Sequence, residues 1–246
     1  MLARVRLPRT TAVDLRRAAT SWCAFTNAVI ASADVTILVP DLDSADLDQV
    51  TDLSDGDVLD GLVDGVSWRG EQLVDQRIRG CRITGADLGE VSWEAGALYG
   101  CEIVGTDLAG AALTGIGIER CSFTGARFTG TRLIEVRLKD VLFDNCRFDY
   151  ATLNRVSAAG SVAFTNCTLG HGSWSSCRLS GVALRSCDLS DLELESCRLD
   201  GADLRGSRLR HVKTLLDNLH GVVLGDDQLS DLTRLTVDAL SIVVRA

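Results

Sequence analysis

The chain has 246 residues, 46% of them hydrophobic, enough to bury a core as one elongated or two compact domains and too many for wholesale disorder. A net charge of −9 supplies no basic balance to neutralise phosphates, which disfavours direct nucleic-acid binding. Only 5% aromatic residues and 2 Pro beside 23 Gly point away from an ordinary α/β enzyme and toward regular, glycine-punctuated structure.

The first forty residues carry no repeat. RLPRTTAVDLRRAATSW (6–22) reads as a short helix from Thr11, and ADVTILVP (33–40) as a strand. Arg16 and Arg17 precede the mildly apolar WCAFTNAVI, as in a signal peptide, but Thr26 and Asn27 interrupt the apolar stretch. No apolar run reaches the roughly 18 residues of a membrane span. Nine Cys, an odd number without a CxxC pair, suit a reducing cytoplasm better than a disulfide framework or a zinc site. The expectation is a cytoplasmic protein with no membrane contact, no metal and no cofactor.

The acid is concentrated next. DLDSADLDQVTDLSDGDVLDGLVD (41–64) holds Asp41, Asp43, Asp46, Asp48, Asp52, Asp55, Asp57, Asp60 and Asp64 with no Lys or Arg, whereas residues 67–213 hold 18 acidic and 18 basic side chains. The nine aspartates are the candidate partner-binding residues; the competing reading is a solvated cap that improves solubility. Residues 1–57 are read as an N-terminal cap with its acidic segment over 41–57.

From Val58 to Leu153 every fifth residue is large and apolar, twenty positions in succession. Positions Ala158 and Ala163 break the run, and a shift of one residue restores it from Phe164 to Leu209, which places one inserted residue near 158–161. The insertion is expected to form a bulge or a small outward loop.

A helix of 3.6 residues per turn would walk a period of five around all its faces. An extended segment can use it: the fifth residue and the one two before it point inward, the residue between them points out, and two residues make a corner. Glycines two after the apolar position, such as Gly80, Gly85 and Gly115, suit that corner, and Ala86, Ala111, Ala126, Ala151 and Ala202 make the second inward position small. Cys81, Cys101 and Cys121 recur at twenty, as do Cys177 and Cys197, while Cys146, Cys167 and Cys187 are spaced by 21 and then 20 across the insertion. Four fives close one circuit, with like residues stacked at about 4.8 Å. Stacked cysteines of this kind read as core packing, since parallel side chains nearly 5 Å apart exceed the roughly 3.5–4.5 Å that a disulfide prefers between Cβ atoms. His171, His211 and His220 show no metal-ligand or triad spacing, so no catalytic residue is expected and the chain is read as a non-enzyme.

After Leu209 the rhythm weakens at Thr214 and returns at Leu219 and Leu224. DDQLSDLTRLTVDAL (226–240) then offers Asp226 or Asp227 as an N-cap and Leu229, Leu232, Leu235 and Leu240 as an apolar face, followed by a short strand SIVV. Residues 226–246 either cap the stack or pair with a second copy.

GADLG (85–89), GTDLA (105–109) and GADLR (201–205) resemble the A(D/N)LXX pentads of the pentapeptide-repeat family, and the resemblance covers roughly residues 58–225. It implies an all-β, right-handed quadrilateral β-helix with a C-terminal capping helix. The quinolone-resistance members of that family imitate duplex DNA in shape and negative charge and bind DNA gyrase or topoisomerase IV, and a similar C-terminal element carries their dimerisation. By resemblance, then, a type II topoisomerase is one candidate partner and a homodimer one candidate assembly. Because the repeat body is neutral overall, a rigid interaction module with a different protein partner is the favoured reading.

Each inward Leu, Ile or Phe should stabilise the stack by roughly 1.5–3 kcal/mol relative to exposure. Leu133→Lys is expected to abolish folding by placing an unpaired ammonium on the axis. A soluble Leu133→Lys protein with native circular dichroism would refute the inward placement.

Overall fold

The computed structural model describes residues 24–30, 35–43, 46–51 and 56–243. The expected helix near Thr11 and Cys23 lie outside these residues. From Val58 onward the backbone travels along four flat sides and returns above itself after one circuit. Ile83 pairs with Ile103, Ile103 with Phe123 and Phe123 with Phe143, all in parallel and each twenty residues apart. On another side the same ladder runs Leu73, Trp93, Leu113, Leu133, Leu153. About eight turns stack in this way, and one short helix follows.

The fifth-position residues form a single dry axis, with all of them from Val58 to Leu153 and from Phe164 to Leu209 buried. In the middle of the stack the axis is aromatic. Phe128 and Phe148 lie face to face at 4.3 Å, Phe143 stacks on Phe123 at 4.9 Å and on Phe164 at 4.6 Å, and the two columns meet edge-on. The second inward position is broader than expected: it holds the five alanines but also Val91, Ile116, Val136, Val156, Val182 and Leu192, all buried. Most of these are β-branched, so their short reach keeps them beside the corner and off the axis.

This second position also has a polar duty. Thr131 Oγ1 donates to the Leu108 carbonyl at 2.8 Å and Ser207 Oγ to the Leu184 carbonyl at 2.7 Å. Cys101 Sγ does the same toward Ile78, and Cys146 Sγ toward Phe123, each at 3.4 Å. Ser, Thr and Cys are therefore equivalent here: small, and able to give one hydrogen to a buried carbonyl one circuit earlier.

The corner is a conformation before it is a residue type. The position two after the axial residue has positive φ at every pentad from Asp60 to Arg155 and from Asn166 to His211. Gly85 and Gly115 take it at +58° and +65°, but so do Ala95, Glu135 and Tyr150 at +53°, +56° and +61°. Each non-glycine corner costs about 1–2 kcal/mol, comparable to what one axial side chain contributes on burial.

The inserted residue makes a bulge. Strands Arg137–Asp144 and Ser157–Thr165 run in register to Lys139 and Ala159, then resume at Val141 and Val162, so Asp140 faces both Gly160 and Ser161. The extra N–H, that of Ser161, donates to Asp140 Oδ1 at 3.0 Å.

Among the described N-terminal residues, one strand lies along the stack. Strands β1 (Ala24–Ile30) and β2 (Val35–Asp41) form an antiparallel hairpin. Ile37 of β2 is fully buried against Ala163 and Ala183, with Val39 and Leu142 beside them. Those three residues of the stack occupy outward positions on one side, so β2 covers an apolar stripe there. The chain then runs toward the first circuit: the Leu42 carbonyl accepts a hydrogen bond from Arg82 Nη2 at 2.6 Å, and β3 (Asp48–Gln49) pairs in parallel with Gly61 and Leu62. Only this last part, with Val50 against the core and the Thr51 carbonyl accepting from Trp68 Nε1 at 3.4 Å, sits over the first edge.

At the other end, Asp226–Gln228 form a 3-10 turn, and helix α1 spans Leu229–Ala239. Neither Asp226 nor Asp227 caps α1. Its start is anchored by Gln228, whose Nε2 donates to the carbonyls of Leu204 and Ser207 at 2.9 and 2.6 Å and whose Oε1 accepts from Gly225 N at 2.8 Å. Leu235 is buried and Leu232 half-buried, while Leu229 and Leu240 face solvent. The described residues of the expected strand SIVV, Ser241 to Val243, form no strand; Ser241 turns the chain with φ +52°.

Asp140→Ala should leave the Ser161 N–H without its acceptor and lower stability by about 1–2 kcal/mol. Deleting Ser161 in the same background should restore most of that loss, read as the urea midpoint. An unchanged midpoint in Asp140→Ala would show that the carboxylate does not hold the bulge.

Candidate functional site

Residues twenty apart on an outer face are one rung apart, so opposite charges at that interval meet. Arg82 pairs with Glu102 at 2.8 Å, Lys139 with Glu119 at 2.7 Å, Arg155 with Glu135 at 2.7 Å, Arg208 with Asp188 at 2.6 Å and Lys213 with Glu193 at 2.6 Å. Arg127 likewise pairs with Asp107, which also lies 3.6 Å from Arg69. Most of these pairs are solvent-exposed and contribute well under 1 kcal/mol each. Their main effect is on the field, because each of these acids is neutralised by a base on a neighbouring circuit. The least exposed pair is Arg185 with Asp203, at 2.9 Å.

No side of the stack becomes an acidic stripe. One side has a small excess of base: Arg77, Arg79, Arg120, Arg137, Lys139, Arg178 and Arg198 stand against Asp57, Asp60, Glu119, Asp140 and Asp200. Along it, Arg137 pairs with Ser157, Ser157 with Arg178 and Arg178 with Arg198. Sequence reasoning missed both the ladders and this side, although the signal, charge compared at intervals of twenty, is present in the chain.

Of the nine candidate aspartates, Asp52 and Asp55 lie outside the described residues. Asp41, Asp43, Asp46 and Asp48 are exposed on the segment from the end of β2 through β3. Pairing of β3 brings Asp48 beside the first circuit, where its N–H donates to the Asp60 carbonyl at 3.0 Å, and Asp64 follows on the same side. Asp57 falls on the neighbouring side, 3.8 Å from Arg77. The structure thus gathers Asp48, Asp60 and Asp64 at one edge, with Asp41, Asp43 and Asp46 leading to it.

The histidines join no metal cluster among the described residues. His171 Nδ1 and His211 Nδ1 lie 3.9 and 3.5 Å from Asp191 at one corner column, and Tyr150 stacks on His171 at 5.1 Å. The eight described cysteines are all free and buried. Burial pushes the Cys101 thiol well above its ordinary range, so the thiolate that would react is suppressed. No helix among the described residues is long and apolar enough to cross a membrane.

These features define a parallel β-solenoid of four-sided circuits whose outer faces carry stacked charge. The family model described as pentapeptide repeats matches eight copies in it, over residues 121–157 and 177–213. Among solved structures the chain is similar to HetL, a pentapeptide-repeat protein involved in heterocyst differentiation regulation from the cyanobacterium Nostoc sp. strain PCC 7120. That match has 20% identity and a TM-score of 0.52, and it covers 72% of this chain and 88% of HetL. A trypsin-treated form of QnrB1, a plasmid-mediated fluoroquinolone resistance protein, matches at 18% identity with a TM-score of 0.43, covering 77% of this chain and 100% of QnrB1. At these identities the likeness concerns the fold. No curated protein matches the chain.

The hydrogen bond from Arg127 holds the Asp107 carboxyl below its ordinary range, against the opposing effect of partial burial. A depressed folded-state value means the stabilisation is complete above the unfolded value, near pH 4, and is lost as pH falls through the folded one. Asp107→Asn should therefore flatten the acid limb of the stability curve, measured by urea denaturation between pH 2 and 6. An acid limb of unaltered slope would remove Asp107 from it.

Proposed function

We propose that the protein is a rigid, non-catalytic interaction module that presents its acidic N-terminal edge to a cationic surface of a protein partner. The observation that carries this reading is the contrast in charge. Residues 67–213 balance 18 acidic side chains with 18 basic ones, whereas residues 41–66 hold nine Asp and no Lys or Arg. The net negative field is therefore concentrated where Asp41, Asp43, Asp46, Asp48, Asp60 and Asp64 meet, and a concentrated field of one sign steers an oppositely charged partner and fixes its orientation. Continuous backbone pairing around the stack keeps that edge preorganised, so little ordering is lost on association.

Two narrower readings follow from the family. A type II topoisomerase partner, engaged by imitation of DNA, requires an acidic outer face, and the neutralised ladders and the basic side weigh against it. Self-association through the C-terminal element is favoured by Leu229, Leu240, Ile242 and Val243, which are 49–76% exposed at one end of the molecule.

Capture of partners from the native cytoplasm should fail, or lose at least tenfold in yield, when Asp46, Asp48, Asp60 and Asp64 are changed together to Asn. Recovery of the same partners would overturn the acidic-edge reading. In a gyrase supercoiling assay, no inhibition and no relief from fluoroquinolone is expected at micromolar protein; an effect on either would instate the topoisomerase reading. Sedimentation equilibrium of Leu229→Lys/Leu240→Lys beside the parent chain decides the dimer.

A further inference from the structure

The axis changes character along the stack. Through the middle it is built from Phe123, Phe128, Phe143, Phe148 and Phe164 in mutual contact, but from Leu179 to Leu209 every axial residue is Leu. The four-sided backbone keeps a constant cross-section, set by extended sides of fixed length, while the side chains that fill it become smaller. The second inward position makes up only part of the difference: Val182 and Leu192 are bulky there, but Cys187, Cys197, Ala202 and Ser207 stay small in the last circuits. What remains is a cavity of about 140 Å³ above Trp174, walled by Leu184, Leu194 and Leu204 and closed by Leu232 and Leu235 of α1.

We propose that this cavity is a binding site for a small, uncharged, apolar molecule the size of one benzene ring. Every residue that lines it is Leu, Val or Trp, and its wall is predominantly apolar. Water needs two to four polar partners to be stable in such a space, and an engineered apolar cavity of about 150 Å³ in another protein stays dry and takes up benzene or xenon. The wall atoms lack dispersion partners on their inner side, and a guest restores them. A charged or strongly polar guest would lose its hydration with nothing to replace it. Access lies between α1 and the last circuit, where Leu219, Val222, Leu224 and Leu232 are only half-buried. There α1 is held chiefly at its start, by Gln228 and by Asp231, whose Oδ2 accepts from Leu209 N at 3.4 Å.

Benzene is the direct probe. Thermal unfolding of the whole chain in sealed cells should show a midpoint rising by about 3–6 °C at benzene tenfold above its Kd, by mass action for a chain of this size. Leu204→Phe fills the space, and should raise the midpoint without benzene and abolish the response to it. Xenon-129 NMR on the unmodified chain gives a second reading independent of any variant: a saturable, concentration-dependent shift that benzene displaces. An absent benzene response together with an absent xenon shift, or an equal benzene response in a folded Leu204→Phe protein, would overturn the proposal. Because partner capture through the acidic edge is read separately, failure of either idea leaves the other standing.

Discussion

The whole molecule depends on one arrangement: a large apolar side chain at every fifth residue, driven into a shared axis by a left-handed corner two residues later. Neither half suffices alone. A corner at +53° to +61° is unfavourable for Ala95, Glu135 or Tyr150 taken singly, and an apolar residue every fifth position has no common face on a helix. Stacking supplies what both lack, because each new circuit completes the hydrogen bonds of the one before and closes water out of the column.

From that arrangement the outer chemistry follows. Side chains pointing away from the axis recur one rung apart, so charge on this protein is organised in columns and is legible only at the twenty-residue interval. Arg208 with Asp188 and Lys213 with Glu193 are the local result; the larger result is a stack with little net field, one basic side and an acidic edge. The edge stands out because the columns cancel elsewhere.

Much of the fold could be read directly. The axis, the four-sided circuit and the inserted residue all leave periodic traces, and periodicity survives without knowledge of contacts. The second inward position is broader than its alanines and cysteines suggest, because Val91 and Ile116 obey the same geometry. The packing of β2 was missed although Leu142, Ala163 and Ala183 put three apolar residues in succession at outward positions, which an uncovered side would not carry. Helix α1 was recognised by its apolar spacing, but its anchor is the side chain of Gln228 reaching two carbonyls of the last circuits. Such a long-range contact has no local signature. The acidic run was visible as composition; which of its members converge depends on the pairing of β3 with Gly61 and Leu62.

A stack in which each layer touches only its neighbours behaves as a one-dimensional chain, free to fray from either end. The segment from β2 to β3 alters that connectivity. It rests on the layers of Leu142, Ala163 and Ala183, bonds to Arg82, and joins the edge at Gly61. Layers about a hundred residues apart in sequence are thereby coupled, so opening at the first edge carries a penalty felt deep in the stack. The solenoid is in this sense clasped from its first circuit to the layer of Ala183, and fraying from that end must break the clasp as well as the edge.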